Sequence, residues 1–240
     1  MRPDRCRSVI CVLVLLWIGV GGMACAGEDA AAPPQRPAAE NISLPEPEYD
    51  GDISLEESIA GRRSRRSFTA EGLSLADVAQ ILWAAQGITD RAAGLRASPS
   101  AGATYPMEIY IAVGDETAGE LGAGVYRYLP REHALELAFE GDVREQAATA
   151  ALGQTFVARA PMVVLMAAEY ARTAGRYGDR ATRYVAMEAG HIGQNIYLQA
   201  EALGLGTVAV GAFQDEALGR TFRLPAAQEA LYLMPVGHVD

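Results

Sequence analysis

The chain has 240 residues, of which 50% are hydrophobic and 21% are charged, and its formal net charge is -10 at pH 7. This composition is typical of a globular protein with one or two domains, and it excludes a disordered chain or a coiled coil. A body this acidic is not expected to bind nucleic acid.

Three residue types, lysine, cysteine and histidine, argue against further classes of chemistry. All 20 basic residues are arginine, which excludes a Schiff-base lysine, a pyridoxal phosphate attachment site and a Walker A lysine. The three cysteines all precede residue 27, so the rest of the chain has no disulfide and no cysteine nucleophile. The three histidines lie far apart in the sequence, and we expect no metal site.

Residues 1–26 have the pattern of an export signal. Arginines precede an apolar run over 9–20, and the triplet Ala24-Cys25-Ala26 fits cleavage after Ala26. An uncleaved membrane anchor is the alternative, although this run is short for a span that needs about 20 residues. Lipidation of Cys25 is a third possibility. We therefore expect an exported protein of the periplasm or cell envelope, attached to a membrane only if Cys25 carries a lipid.

The residues after the signal divide into a linker and one folded domain. The stretch 27–52 is rich in proline and alanine and predicts a linker, and the folded domain is expected over 53–240. Helices are predicted to begin at Ser54, Ser74 and Asp142, and the longest helix is predicted over 180–203. Predicted strands are 107–113, 125–129, 134–139, 161–168, 207–210 and 231–236. Strands mixed with helices, including a hairpin, indicate an α+β fold.

Three segments are candidates for ligand binding. The first is the run Gly61 to Phe68, in which four arginines fall within five residues; guanidinium groups suit phosphate oxygens, and a solvated charge cluster is the alternative. The second is the small-residue turn Pro99 to Pro106, where the backbone can approach a flat ligand closely, although an ordinary loop has the same composition. The third is Gly204 to Phe213, a glycine-flanked strand that lacks the Rossmann glycine pattern and otherwise reads as a helix end and a core strand.

In this order the three segments resemble the FMN-dependent nitroreductase family, and more narrowly its SagB/ThcOx branch, which includes azoline dehydrogenases. Further matching stretches are LWAAQGIT at 82–89, GVYRY at 124–128, EAGHIGQN at 188–195 and MPVG at 234–237. The resemblance covers about residues 44–240. It implies a nitroreductase-like α+β fold, with a mixed central sheet flanked by helices, in a homodimer that holds FMN at its interface.

The resemblance also implies roles for individual residues. The arginine run would hold the FMN phosphate and ribityl chain, the small-residue turn would contact the flavin of the other subunit, and the glycine-flanked strand would lie beside the flavin ring near N5. The residues expected to bind FMN are Arg62, Arg63, Ser64, Arg66, Pro99, Ser100, Ala101, Gly102, Val210 and Gly211. The family commonly has a further basic residue beyond the last strand; none follows that strand here, so the arginine run is expected to carry more of the phosphate charge.

The expected activity is that of an FMN-dependent oxidoreductase that transfers hydride through flavin N5 to or from a small organic substrate. Azoline dehydrogenases of this branch have a Lys-Tyr pair near the substrate, and the corresponding residues here are Arg176-Tyr177. Arginine does not act as a base at neutral pH, which argues against azoline oxidation. Tyr177 could still donate or relay a proton and is the candidate catalytic residue, and an ordinary tyrosine in a surface loop is the alternative, which the pattern favours. The alternatives are an azoline dehydrogenase that acts on a peptide or secondary metabolite, and an exported flavin-binding protein without turnover.

Two further expectations concern the surroundings of this site. The walls of the substrate pocket are expected to come from a loop over 169–184, and His191 is expected in the core or at a subunit interface.

Export would separate the flavin from cytosolic NADH and NADPH. We therefore expect the organic substrate to reduce FMN, with oxygen or a quinone as the oxidant.

Overall fold

Strands and helices alternate through residues 41–115 and 121–239, the part of the chain that this computed structural model describes. The strands are β1 (Ile42–Ser43), β2 (Ile88–Asp90), β3 (Leu95–Arg96), β4 (Met107–Val113), β5 (Gly124–Leu129), β6 (Ala134–Glu140), β7 (Met162–Ala168), β8 (Leu205–Thr207) and β9 (Glu229–His238). The helices are α1 (Leu55–Gly61), α2 (Leu75–Gln86), α3 (Arg144–Ala150), α4 (Phe156–Arg159), α5 (Tyr170–Tyr177), α6 (Ala181–Ala202) and α7 (Asp215–Thr221). The predicted α+β class is confirmed.

The main sheet has seven strands in the order β1-β6-β5-β4-β7-β9-β8, and all of its strand pairs are antiparallel. A parallel bridge between Ser64 and Thr207 extends it beyond β8, so the sheet is mixed at this edge. β2 and β3 form a separate two-stranded hairpin. The bridge brings the arginine run, which is one of the predicted ligand-binding segments, to the edge of the sheet.

Helices cover both faces of the sheet, and alternate residues of the central strands are buried on opposite sides. Ile109 and Ile111 of β4 belong to a core beneath α2 and α6, whereas Tyr110 and Ala112 belong to a second core beneath α3 and α7. β7 is buried along its whole length. Burial on two faces explains why its sequence is a continuous apolar run instead of an alternating one.

Helix α6 is the longest helix among the described residues. It has 22 residues, which corresponds to a length of about 33 Å. It ends before Gly204, whose φ of 70° is the left-handed conformation that often terminates a helix. Both candidate ligand-binding regions described below contact this helix, so its length sets their separation.

Several predicted boundaries are wrong, each for a local reason. The predicted linker 27–52 extends too far toward the C-terminus, because β1 pairs with β6 and Leu44 is buried. The strand predicted at 207–210 ends at Thr207, and Val210 forms only an isolated bridge. The loop predicted over 169–184 contains α5 and the start of α6. Asp142 lies before the N-cap of α3, although its carboxylate accepts a hydrogen bond from the Arg144 amide at 2.9 Å. The export signal and residues 27–40 of the linker lie outside the described residues.

Candidate functional site

The arginine run and the glycine-flanked strand lie side by side. The Arg65 amide donates to the Thr207 carbonyl at 2.9 Å, next to the bridge between Ser64 and Thr207. Tyr197 of α6 joins the two segments, because its hydroxyl lies 3.0 Å from Ser64 Oγ and accepts from the Ala209 amide at 2.8 Å. The structure therefore brings two of the three sequence-predicted segments together within one chain.

The arginines of the run differ in what they contact. Arg63 donates to the carbonyls at the end of α1, and Arg65 lies 3.9 Å from the Glu201 carboxylate. Arg62 lies over the Tyr197 ring, with its guanidinium carbon 5.1 Å from the ring centroid, and Arg66 lies 5.9 Å from the Phe156 centroid. Neither Arg62 nor Arg66 has a carboxylate within salt-bridge distance among the described residues. These two cations are therefore available to an anionic group.

Val210 and Gly211 continue along the same edge of the sheet. Val210 is buried and exchanges both backbone hydrogen bonds with Leu233, at 2.8 and 3.0 Å. Gly211 is exposed, and no described atom lies within 4 Å of the position that a Cβ would occupy there. Its amide donates to no described residue. Gly211 also borders a cavity of about 960 Å³ between α7, the start of β9 and Tyr170. The Val210 amide is therefore fixed by a hydrogen bond to β9, whereas the next amide, that of Gly211, has no acceptor among the described residues.

A buried polar atom with no partner lies next to this edge. Thr207 is 1% exposed, and its Oγ1 has no hydrogen-bond partner among the described residues. This edge therefore has several hydrogen-bond donors without an acceptor among the described residues. They are the Thr207 hydroxyl, the guanidinium groups of the two available arginines and the Gly211 amide. These groups suit a ligand that has a phosphate at one end and a flat acceptor-bearing ring at the other.

The small-residue turn lies elsewhere and is held by α5. Its backbone has left-handed φ values at Gly102 (59°), Ala103 (53°) and Tyr105 (43°), which are rare for residues with a Cβ. Arg176 donates to the Gly102 carbonyl at 3.2 Å, and Arg172 donates to the Tyr105 carbonyl at 3.1 Å. The residues predicted to be a variable loop therefore form a helix that fixes this turn.

Tyr177, the candidate catalytic residue, is the last residue of α5. Its hydroxyl lies 2.6 Å from the position that a Cβ on Gly102 would occupy, and the φ of 59° at Gly102 is one that other residues rarely adopt, so a side chain there would be strained. Its ring packs edge-on against the Tyr184 ring with centroids 5.1 Å apart, and the Arg176 guanidinium lies 5.5 Å from the Tyr177 ring. Tyr177 is therefore next to the small-residue turn rather than in a free surface loop.

A buried carboxyl group lies beneath the same turn. Glu188 of α6 is 2% exposed, and its pKa is raised by burial, although hydrogen bonds from Ser100 and Gln86 and the charge of Arg96 oppose the rise. Gln86 is fully buried; its Nε2 lies 3.5 Å from Glu188 Oε1, and its Oε1 accepts from Arg96 at 3.3 Å. Glu188 begins the family-like stretch at 188–195, but the sequence around it predicts no role for its side chain. The groups around this side chain come from three segments that are distant in sequence.

An ion-paired cluster attaches α5 to the sheet. Glu108 of β4 pairs with Arg172 at 2.6 Å and lies 3.6 Å from Arg127, and Arg172 also pairs with Glu169 at 2.7 Å. The side chain of Glu108 is only 13% exposed, so the cluster is partly shielded from solvent. Since Arg172 also holds the Tyr105 carbonyl, the position of the turn depends on this cluster.

One chain does not bring the two functional regions together. Glu188 lies beneath the turn, and Tyr197 lies beside the arginine run; nine residues along a helix correspond to about 14 Å. The face of α6 between them is exposed at Met187, Gly190 and Gln194. His191 is also exposed within this chain, so the prediction that it lies in the core is wrong, and its position at an interface stays a prediction.

The described residues contain no group of three or more metal-ligating side chains. Within the same residues, no helix is both long enough and apolar enough to cross a membrane.

Comparison with known proteins identifies the family. The model of the nitroreductase family matches residues 59–238. The nitroreductase-family protein MJ1384 of Methanocaldococcus jannaschii is 46% identical over 196 residues, which cover 82% of this chain and 95% of that protein. A solved nitroreductase-family structure from Ralstonia eutropha is 29% identical with a TM-score of 0.73, over 85% of this chain and 94% of that one.

A second similarity is to a microcin-processing protein. The microcin B17-processing protein McbC of Escherichia coli is 26% identical over 155 residues, covering 63% of this chain and 57% of that protein. The solved E. coli microcin synthetase McbBCD complex with truncated pro-MccB17 has a TM-score of 0.65 at 22% identity, over 88% of this chain and 79% of that chain. The resemblance to the SagB-type branch is thereby confirmed. This chain belongs to the nitroreductase family, whose members are generally oxidoreductases that use flavin.

Proposed function

We propose that the protein is an FMN-dependent oxidoreductase that works as a homodimer. The observation that carries this proposal is the pair Arg62 and Arg66, which has no carboxylate partner among the described residues and lies on the sheet edge that leads to the open amide of Gly211. FMN has a single terminal phosphate and a flat ring with acceptor atoms, so it matches both ends of this edge.

The residues along this edge have separate tasks in binding FMN. Arg62 and Arg66 would bind phosphate oxygens through charge-assisted hydrogen bonds, and their aromatic neighbours would limit the motion of the guanidinium groups. The Gly211 amide would donate to the ring, where a fixed donor stabilises negative charge. When bound, FMN would supply hydride transfer through N5. Val210, which is hydrogen-bonded to Leu233 of β9, would hold Gly211 in position.

The proposed homodimer would complete the site. The turn Pro99–Gly102 and the arginine run are separated along α6 in one chain, and the exposed face between them has Met187, which is 48% exposed, and the small residue Gly190. Leu55 and Ile59 of α1 are also exposed. An apolar surface of this kind suits contact with a second copy, whose turn would then reach the arginine run of the first.

Loss of the arginines tests the cofactor assignment. Arg62→Ala and Arg66→Ala should each weaken FMN binding by about 1.5–3 kcal/mol, because each removes a hydrogen bond from a charged group. Arg131→Ala, at an exposed residue of the β5–β6 turn, is the matched control and should leave the affinity unchanged. Flavin fluorescence titration gives the dissociation constants. Unchanged affinity in both site variants would contradict the assignment.

Mixing two variants that each bind FMN weakly tests the shared site, at an FMN concentration that fills only intact sites. Arg62→Ala damages one half, and Gly102→Val damages the other because a side chain there would collide with Tyr177 and Arg176. After the two are denatured and refolded together, about half of the dimers should be mixed, and one of the two sites in each should be intact. FMN binding should therefore recover to about a quarter of all sites in a dimer of random composition. No recovery, with both variants folded, would contradict a site built from two chains.

A second candidate function is dehydrogenation of a peptide, as the similarity to McbC suggests. The contact of Tyr177 with Gly102 favours it, since this hydroxyl would lie beside the flavin of the other subunit and could donate or relay a proton. Arg176 cannot replace a lysine as a base at neutral pH. Tyr177→Phe should reduce substrate oxidation while FMN affinity stays unchanged. Equal activity of the variant would remove Tyr177 from the mechanism.

The proposed location determines the electron partners. If residues 1–26 direct export, the organic substrate would reduce FMN, and oxygen or a quinone would reoxidise it. Because the signal has no twin-arginine pair, FMN would be acquired after translocation. Fractionation of cells and an assay of the purified flavoprotein with NADH and NADPH test this. A cytoplasmic location, or rapid flavin reduction by either nucleotide, would refute it.

A further inference from the structure

The entry to the small-residue turn is held by one side chain of α6. Asn195 Nδ2 donates to Ser98 Oγ at 3.0 Å and to the Ala97 carbonyl at 3.4 Å, immediately before Pro99. The same nitrogen donates to the Ala84 carbonyl of α2 at 3.0 Å. The two hydrogens of one amide group are thus divided among three acceptors. They tie together α6, α2 and the residues that lead into the turn.

The acceptors of this amide differ in their access to water. Ser98 is fully buried, and no described residue other than Asn195 bonds to its side chain. Ala84 and Ala97 border a surface cavity of about 410 Å³, together with Asn195 itself. Water in this cavity can therefore satisfy the two carbonyls if the amide is lost. A water molecule would not connect α6 to Ser98, so the position of the entry depends on the amide.

The exit of the turn is held separately, from α5. Arg176 donates to the Gly102 carbonyl at 3.2 Å, and Arg172 donates to the Tyr105 carbonyl at 3.1 Å. Between these points, Ala103 and Tyr105 have left-handed φ values of 53° and 43°. Left-handed residues with a Cβ persist only where their surroundings hold them. We therefore expect the shape of the turn to depend on restraints at both of its ends.

We propose that Asn195 is a positioning residue that fixes the entry to the turn and thereby sets the FMN affinity of the site in the other subunit. The inference rests on the proposed function, because it takes the turn Pro99–Gly102 to lie against the flavin of the partner chain. Asn195 acts through Ser98 and Ala97 and is assigned no contact with FMN. Its effect falls on the site that contains the arginine run of the other chain.

The arginine run of the same chain does not depend on Asn195. This run is held by the hydrogen bond between Tyr197 and Ser64 and by the bridge from Ser64 to Thr207. None of these contacts includes an atom of Asn195. Loss of the Asn195 amide should therefore damage the turn of a chain and spare its arginine run.

Asn195→Leu removes the donor and keeps nearly the same side-chain shape. The variant is expected to fold, because water from the cavity can reach the two carbonyls. It should weaken FMN binding by about 5- to 30-fold in a fluorescence titration, since the turn loses hydrogen bonds that hold its entry. Gln146→Leu, which removes an exposed amide of α3, is the matched control and should leave the affinity unchanged.

Mixed dimers show which site the substitution damages. In a dimer of one Asn195→Leu chain and one Arg62→Ala chain, an intact arginine run meets an intact turn at one site. After the two variants are denatured and refolded together, about a quarter of all sites should regain wild-type affinity. Asn195→Leu mixed with Gly102→Val should regain none, because both substitutions damage the turn.

Other patterns of recovery contradict the inference. If Asn195→Leu damaged the site of its own arginine run, sites would recover with Gly102→Val and not with Arg62→Ala. If folded Asn195→Leu chains damaged both sites, neither mixture would recover. Either pattern, or unchanged FMN affinity of Asn195→Leu, overturns the positioning role. If Asn195→Leu does not fold, Ser98→Ala replaces it in both mixtures, with an expected loss of about 3- to 10-fold, because it removes only one acceptor.

The mixture of Arg62→Ala with Gly102→Val separates this inference from the proposed function. If that mixture recovers a quarter of its sites while Asn195→Leu with Arg62→Ala recovers none, Asn195 does not act through the turn and the shared flavin site stands. If the first mixture does not recover, or if wild-type protein does not bind FMN, the proposed function and this inference fall together.

Discussion

Replacement of Tyr197 by phenylalanine should weaken the edge of the sheet that bears the arginine run. The Tyr197 hydroxyl accepts from the Ala209 amide at 2.8 Å and lies 3.0 Å from Ser64 Oγ. Ser64 is exposed, so water can replace its lost partner, but Ala209 is partly buried and its amide would lose its acceptor. The expected loss is about 1–2 kcal/mol of the free energy of unfolding. For a domain of this size, each kcal/mol lowers Tm by about 2–4 °C.

Phenylalanine keeps the ring beneath Arg62, so the contact between the guanidinium group and the ring should persist. FMN affinity should still decrease, because Ser64 and Ala209 would no longer be joined. Urea unfolding and flavin titration measure the two effects. Tyr232→Phe is the control, since the hydroxyl of this partly buried tyrosine bonds to no described residue. A Tyr197→Phe protein with unchanged unfolding free energy and unchanged flavin affinity would refute the reasoning.

Three more predictions follow from charges and exposure. Glu108→Gln should destabilise the protein by about 1–3 kcal/mol in urea unfolding, because two partly buried arginines each lose one of their two carboxylate partners. Burial favours protonation of Asp142, but hydrogen bonds from Arg144 outweigh it and lower its pKa. Its contribution is therefore present above the unfolded-state pKa and lost as pH falls through the folded-state pKa, so the stability difference from Asp142→Asn should shrink in acid. Met187→Asp should convert a dimer to a monomer in light scattering, since it puts a charge on the exposed face of α6.

Sequence patterns predicted the elements whose signals are local. Ser54 and Ser74 are the N-caps of the two helices predicted to begin there, and the apolar run of β7 is the buried central strand. Elements that depend on distant partners were missed. β1 has two residues and exists because β6 pairs with it. Helix α5 has little apolar sequence of its own, and its position comes from arginines that contact Glu108 and the turn.

The candidate site could be predicted only in pieces. Motif order brought Arg62, Ser64, Val210 and Gly211 into one hypothesis, and the structure has their two segments adjacent through Tyr197. Nothing in the sequence around Tyr197 marks it as the connection, because a tyrosine at this helical position is equally consistent with ordinary packing. The same holds for Glu188, whose partners lie between 86 and 105. Contacts between distant segments depend on the path of the chain, which periodicity does not give.

Helix α6 links these observations physically. Its faces carry Glu188 under the turn, Tyr197 beside the arginine run and Glu201 next to Arg65, while Met187 is exposed. A continuous helix fixes these positions relative to one another, because each backbone hydrogen bond limits bending. In the proposed dimer, contact through the exposed face would therefore fix the distance between the turn of one copy and the arginine run of the other. The dimer contact and the width of the flavin site would then be set by the same element.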